Sequence, residues 1–169
     1  MAGDDVRTEA AKPPALDWSV ENCTIQRAVE EIGDKWSLIV IREIFQGVRR
    51  FDDLTVRTAI PRQVLTSRLR GLVDAGILRR VPYREPGQRA RSEYRLTQKG
   101  LDLYPVLIAF QAWGNRYLVD PDGPPIEFEH RGCGEPVELV VRCAAGHEVP
   151  QARDVAGRLG PGARRRSAS

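Results

Sequence analysis

The sequence predicts a mainly α chain with one small β-hairpin, an α+β fold, and a short hairpin appendage near its C-terminal end. Three observations carry that expectation. Apolar residues recur at helical spacing between Ile25 and Val73. A β-branched and aromatic stretch over 77–83 returns over 92–96 around a Pro86-Gly87 tip, which reads as a hairpin. A break no regular element can cross, Asp120-Pro121-Asp122-Gly123-Pro124-Pro125, then sets off a short alternating segment. With 169 residues, 41% hydrophobic and 29% charged, the composition is that of a globular chain. No apolar run is long enough to span a membrane. The acidic start, Met1-Ala2-Gly3-Asp4-Asp5, lacks a basic-then-apolar signal segment, which predicts a cytoplasmic protein.

Residues 1–20 have no apolar periodicity, contain Pro13-Pro14 and read as a flexible arm. Ile25, Ala28, Val29 and Ile32 describe a first helix that stops at Gly33. Asp34 is suited to cap a second helix, carrying Trp36, Ile39, Val40, Glu43 and Ile44 and ending at Gly47. A short third helix covers about Phe51 to Val56. Pro61 fits the first turn of a fourth, which turns Leu65, Leu69, Leu72 and Val73 inward and ends at Ala75-Gly76. The hairpin follows, with a basic loop over Arg84–Arg91, and Thr97 caps a last helix that adjusts at Pro105 and runs to about Leu118. This order, over residues 21–118, is that of a winged helix-turn-helix. A linker at 119–125, a small hairpin unit at 126–156 and a disordered basic tail at 157–169, with Arg164-Arg165-Arg166, complete the expected organisation.

Charge is segregated along the chain. The net +3 divides into −3 over residues 1–22, +7 over 23–118 and −1 over 119–169. Residues 49–99 alone hold thirteen basic and five acidic side chains. Clustered Lys and Arg release counterions from a polyanion, so double-stranded DNA is the expected partner. On the fourth helix, Gln63, Thr66, Ser67 and Arg70 lie at i, i+3, i+4 and i+7, opposite the leucine stripe. Arg can read guanine, Gln can read adenine, and short hydroxyls suit a backbone lying close to the groove floor. Arg62 in the first turn, Arg49 and Arg50 before the third helix, and Arg84, Arg89 and Arg91 in the hairpin loop are expected on phosphates.

The motifs Gly33-Asp34-Lys35-Trp36, Arg50-Phe51-Asp52-Asp53-Leu54, Leu65-Thr66-Ser67-Arg68-Leu69, Ala75-Gly76-Ile77-Leu78 and Tyr94-Arg95-Leu96-Thr97-Gln98-Lys99-Gly100 strongly resemble the HxlR-type bacterial transcription regulators. With Cys23 before them and Pro105-Val106-Leu107 and Trp113-Gly114 after them, the resemblance covers about residues 22–118 in order. It implies a homodimeric winged-helix regulator, related to MarR-type proteins and binding a palindromic operator as a repressor or activator. The first and last helices would build the dimer interface, which places Ile25, Val29, Leu107, Phe110, Trp113 and Tyr117 there.

Three cysteines are too few for a disulfide scaffold. Cys23 opens the first helix, whose positive dipole end favours an anion such as a thiolate, while Glu21 beside it opposes one. The resemblance adds that some HxlR-type members sense oxidants at this place; a packed or capping cysteine is the alternative. In the appendage, His130-x2-Cys133 and Cys143-x3-His147 flank the alternating Val137, Leu139 and Val141. One hairpin bringing the two pairs together would make a small structural zinc site. HxlR-type proteins with a similar extension carry His-x2-Cys and Cys-x2-Cys, whereas Gly146 stands here at the last cysteine. The alternatives are zinc with His147 as fourth ligand, a metal-free docked hairpin, or a Cys133–Cys143 disulfide.

No Ser-His-Asp arrangement, Gly-rich phosphate loop or paired-carboxylate motif stands out, so no enzyme is expected. Two further classes stay open. One is a receptor whose DNA binding responds to a small-molecule effector or to the redox state of Cys23. The other is an adaptor that binds a protein through the C-terminal unit.

Overall fold

The computed structural model describes residues 17–84, 87 and 90–166. Its elements follow in the order α1 (Thr24–Ile32), α2 (Lys35–Phe45), α3 (Phe51–Thr58), α4 (Arg62–Asp74), β1 (Leu78–Tyr83), β2 (Arg91–Leu96), α5 (Gln98–Leu101) and α6 (Tyr104–Tyr117). This is a winged helix-turn-helix: α2 to α4 form the helical body and the antiparallel β1–β2 pair is the wing. No helix among the described residues is long and apolar enough to cross a membrane.

α2 is the central strut. It buries Val40, Ile41 and Ile44 against Leu54 of α3, Leu65, Leu69 and Leu72 of α4, and Ile77 and Leu78 where the wing begins. Burying each such side chain stabilises the fold by about 1.5–3 kcal/mol. Asp34 starts α2 by accepting hydrogen bonds from the N–H groups of Trp36 and Ser37, each at 3.1 Å. α2 and α4 end alike. Gly47 (φ +93°) and Gly76 (φ +68°) take the left-handed conformation, and the next residue bonds back, Val48 N–H to Glu43 O and Ile77 N–H to Leu72 O. α3 ends instead on Ala59 at φ +53°. The turn that follows is anchored by Ile60, only 1% exposed, and Pro61 leads into α4.

The continuous helix expected after Thr97 is broken in two. α5 is four residues long, and Pro105 sits in the first turn of α6, where a missing N–H costs nothing. Gly100 has a separate task. A Cβ there would lie 2.4 Å from the Ile77 carbonyl oxygen, so only glycine lets α5 close on the root of the wing.

Two expectations about the C-terminal region are corrected. Residues 126–150 form two successive tight turns rather than one hairpin. The first is closed by His130 N–H to Glu135 O and Val137 N–H to Phe128 O, the second by Cys143 N–H to His147 O and Val149 N–H to Val141 O. The tail, expected to be disordered, turns at Gly160-Pro161-Gly162. It then pairs with the start of the described chain, through Ser19 N–H to Arg164 O and Arg166 N–H to Asp17 O, with Trp18 bridging Arg165. Its backbone groups find partners a whole chain length away, a pairing composition cannot reveal.

Candidate nucleic-acid interface

Helical geometry divides α4 cleanly. Leu65, Leu69 and Leu72 are at most 2% exposed, while Arg62, Gln63, Thr66, Ser67 and Arg70 all face solvent. The Thr66 hydroxyl donates to Arg62 O at 2.8 Å, which holds its side chain against the helix and leaves its oxygen free to accept. The five residues expected to read or grip DNA thus share one open surface.

The wing lies beside that surface and is wider than the hairpin alone. Its register runs from Leu78↔Leu96 to Tyr83↔Arg91. Arg50 adds an antiparallel bridge to Glu93, and Tyr94 N–H donates to Arg49 O at 2.8 Å. Arg49 and Arg50 are therefore an edge of the wing sheet, with the Arg50 guanidinium 4.5 Å from the Tyr83 ring centroid. Arg84 is exposed near the wing tip. Arg89 lies outside the described residues.

A single carboxylate ties helix to wing. Asp52, in the first turn of α3, takes Arg62 of α4 at 3.2 Å on one oxygen and Arg91 of β2 at 3.5 Å on the other. Arg62 also lies 4.7 Å over the Phe51 ring. Two arginines expected on phosphates are thereby held by one carboxylate. Beside them a cleft of about 390 Å³ is bordered by Asp52, Arg80, Tyr83, Arg91 and Tyr94. Sequence reading missed Asp52, Arg80 and Tyr83; the basic pair Arg79-Arg80 on a strand bordering the basic loop was the available signal.

Three ion pairs gather on α2 and its cap. Glu43 is fully buried on α2, where one oxygen meets Arg42 and the other takes Arg57 of α3 at 3.1 Å. Asp34 lies 3.5 Å from Arg68 of α4. Partial burial of the Asp34 carboxyl opposes ionisation. The Ser37 side chain and N–H, the Arg68 guanidinium and the Trp36 N–H outweigh it and hold the carboxyl below its ordinary value.

The other expected site residues lie elsewhere. Ile25 and Val29 on α1 and Phe110, Trp113 and Tyr117 on α6 are between 57% and 74% exposed. Leu107 departs from that group and is half-buried against the core. Cys23 is a half-buried free thiol at the cap position of α1, and its side chain makes no capping bond. In the appendage His130 Nδ1 lies 3.2 Å from Cys133 Sγ. No group of three or more metal-capable side chains gathers among the described residues, so His130, Cys133, Cys143 and His147 do not form the tetrahedral set expected for zinc. The reason is the pair of turns, each closing on itself. Gly146, at φ +84°, serves the second turn rather than standing in for a ligand. Cys133 and Cys143 are both free and exposed.

Comparison with known proteins fits this architecture. A family model described as HxlR-like helix-turn-helix matches residues 31–122. The uncharacterized HTH-type transcriptional regulator Rv3095 of Mycobacterium tuberculosis is 42% identical over 149 residues, covering 88% of this chain and 93% of its own. Among solved structures, the transcription factor PA1607 is 33% identical with a TM-score of 0.73, covering 83% of this chain and 96% of its own. The redox regulator HypR in its oxidized form is 28% identical with a TM-score of 0.52, over 58% of this chain and 100% of its own. The first two similarities extend past the winged domain into the C-terminal unit. An exposed polar face on α4, an arginine-edged wing and these matches lead to one conclusion: the chain belongs to the HxlR-like helix-turn-helix family of DNA-binding transcription regulators.

Proposed function

We propose that the protein binds a palindromic operator as a homodimer and represses transcription by occupying it. In this reading α4 enters the major groove and offers Gln63, Thr66, Ser67 and Arg70 to base edges. Arg49, Arg50, Arg62, Arg84, Arg89 and Arg91 take flanking phosphates, adding affinity without sequence information. The observation that carries it is the complete separation of the two faces of α4, apolar side buried and polar side open. The Asp52 link supports the same division of labour, since it sets one helix arginine and one wing arginine at a fixed spacing.

The dimer is supported by apolar side chains on α1 and α6. Ile25 and Val29 lie one turn apart, as do Phe110, Trp113 and Tyr117 in succession, and all are largely in water. Burying such surface gains about 25 cal/mol per Å², and a twofold partner presents the same patch in return. The test is gel-shift titration against the upstream region of the protein's own gene, with light scattering for mass. Specific binding by a dimer is expected. A monomer, or equal affinity for a scrambled fragment, would overturn the reading.

A redox-responsive version has one observation in its favour: Cys23 is a free thiol heading the helix that carries half of the proposed dimer surface, and the fold is similar to that of HypR, a redox regulator. Diamide should then weaken operator binding by the wild type and leave Cys23→Ser unaffected. A loss shared by both proteins would discard this version.

A further inference from the structure

The basic face holds its arginines in two different ways. Arg50 lies 4.5 Å from the centroid of the Tyr83 ring, and Arg80 lies 5.9 Å from that of Tyr94. A ring steadies a guanidinium without cancelling its charge. Arg62 and Arg91 are held instead by the Asp52 carboxylate, at 3.2 Å and 3.5 Å, and this partner offsets one of their two positive charges. Arg62 is fixed on a second side as well, 4.7 Å over the Phe51 ring. Among the described residues, Asp52 is the one carboxylate bordering the cleft that Arg80, Tyr83, Arg91 and Tyr94 also line. Affinity for DNA of any sequence grows with the number of cations set against phosphates, so a carboxylate placed here lowers it.

Fold stability does not account for that carboxylate. Asp52, Arg62 and Arg91 are 57% to 64% exposed, and ion pairs in water add little to stability. A negative charge in the first turn suits the positive end of the α3 dipole, but Asp53 supplies one there too. Asp53 makes no ion pair among the described residues. The two neighbours therefore separate a plain helix charge from an arginine clamp.

What the clamp changes is freedom. An untethered arginine swings to whichever phosphate is near and favours every docking register alike. Arg62 opens α4 and Arg91 opens β2. Tied through one carboxylate of α3, they reach two phosphates together only when helix and wing sit at one depth against the duplex. A wrong sequence holds α4 off that depth and gains less from both. Discrimination comes from weakening the wrong complex as well as from strengthening the right one.

We propose that Asp52 is a specificity-determining residue that touches no base: it withholds cationic attraction from DNA of any sequence and makes Arg62 and Arg91 act together in the operator register. Asp52 can act so only if α4 is the groove element proposed above. It is a positioning residue, working through two arginines.

The experiment compares the full-length wild type, Asp52→Ala, Asp52→Glu and Asp53→Ala by fluorescence anisotropy across a salt series. One duplex comes from the upstream region of the protein's own gene and the other is its scrambled counterpart. Asp52→Ala should bind the scrambled duplex more tightly than the wild type, with a slope of log K against log salt steeper by about 1. A damaged fold cannot produce tighter binding. The ratio of operator to scrambled affinity should fall about fivefold or more, which is what one mismatched base pair commonly costs. Asp52→Glu should return the slope to that of the wild type, and Asp53→Ala should leave the ratio where it was. With Arg62→Gln and Arg91→Gln both present, Asp52→Ala should no longer move the ratio, because nothing is left to hold. An unchanged ratio in Asp52→Ala, an equal fall in Asp53→Ala, or a fall that persists without the two arginines would overturn the proposal. A wild type with no preference for the operator counts against α4 as the groove element. The slope on the scrambled duplex is separate from that preference, and an unaltered slope in Asp52→Ala would by itself overturn the masking of a cation.

Discussion

The winged domain and the C-terminal unit use similar apolar residues to opposite ends. Between Ile32 and Ile108 twelve apolar side chains are buried, whereas none is buried from residue 126 to 156. Leu139, Val140 and Val141 form a β-type run yet stand 45% to 56% exposed. The difference is one of enclosure. Three helices and a sheet can surround a core from several sides, but about thirty residues cannot enclose one. The unit is held instead by backbone bonds within its turns and by its seat on α6.

This contrast can be broken by substitution. Leu69→Ala should cost about 2–5 kcal/mol in denaturant unfolding, because Leu69 is fully buried among α2 and α4 neighbours. Val141→Ala, on the exposed unit, should stay within about 0.5 kcal/mol; a comparable loss at both would mean the unit hides a core. Next in size are the DNA contacts. Arg70→Ala or Gln63→Ala should cost about 1–3 kcal/mol on the operator and relax the preference at one base pair. Replacing Arg84 and Arg91 should weaken all sequences alike and flatten the salt dependence. If helix and wing variants behave identically in competition gel shifts, the division of labour fails.

Asp34→Ala should lower stability by about 1 kcal/mol through loss of the α2 cap. The pH dependence follows from the depressed ionisation of Asp34. Its folded-state pKa lies below the unfolded one, so the ionised cap contributes stability above the ordinary carboxylate range, and that contribution is lost as pH falls through the folded value. Asp34→Asn keeps a good cap and should flatten the acid limb of the melting profile; an unchanged limb would exclude Asp34 as its source. The smallest expected effect concerns zinc. With no gathered donor set among the described residues, chelator should leave the melting temperature unchanged, and mass spectrometry of untagged protein should find less than one zinc per chain. Stoichiometric zinc would show that the two turns rearrange to share a metal.

Much of the candidate interface was legible in the sequence because it rests on local rules. Asp34 as a cap, the glycine stops at 47 and 76, and the polar stripe from Gln63 to Arg70 all depend on residues within a few turns of one another. What escaped was non-local. In the sequence Asp52 is only part of a motif, because its partners Arg62 and Arg91 come from two other elements. Glu43 falls on an apolar stripe in the sequence, and its partner Arg57 lies fourteen residues away on α3. The appendage misled because alternation announces paired strands without saying which strands pair.

The sequence by itself determined the order of helices and wing, the positions where helices start and stop, and the face of α4 that meets solvent. These follow from backbone dihedral preferences and a period of 3.6 residues, which act over a few residues at a time. Only the tertiary structure decided that Arg50 joins the wing, that one carboxylate ties helix to wing, and that the His and Cys pairs close separately. Each depends on groups far apart in the chain meeting within a few ångströms, and the energy of such a meeting is realised only once the core has brought its elements together.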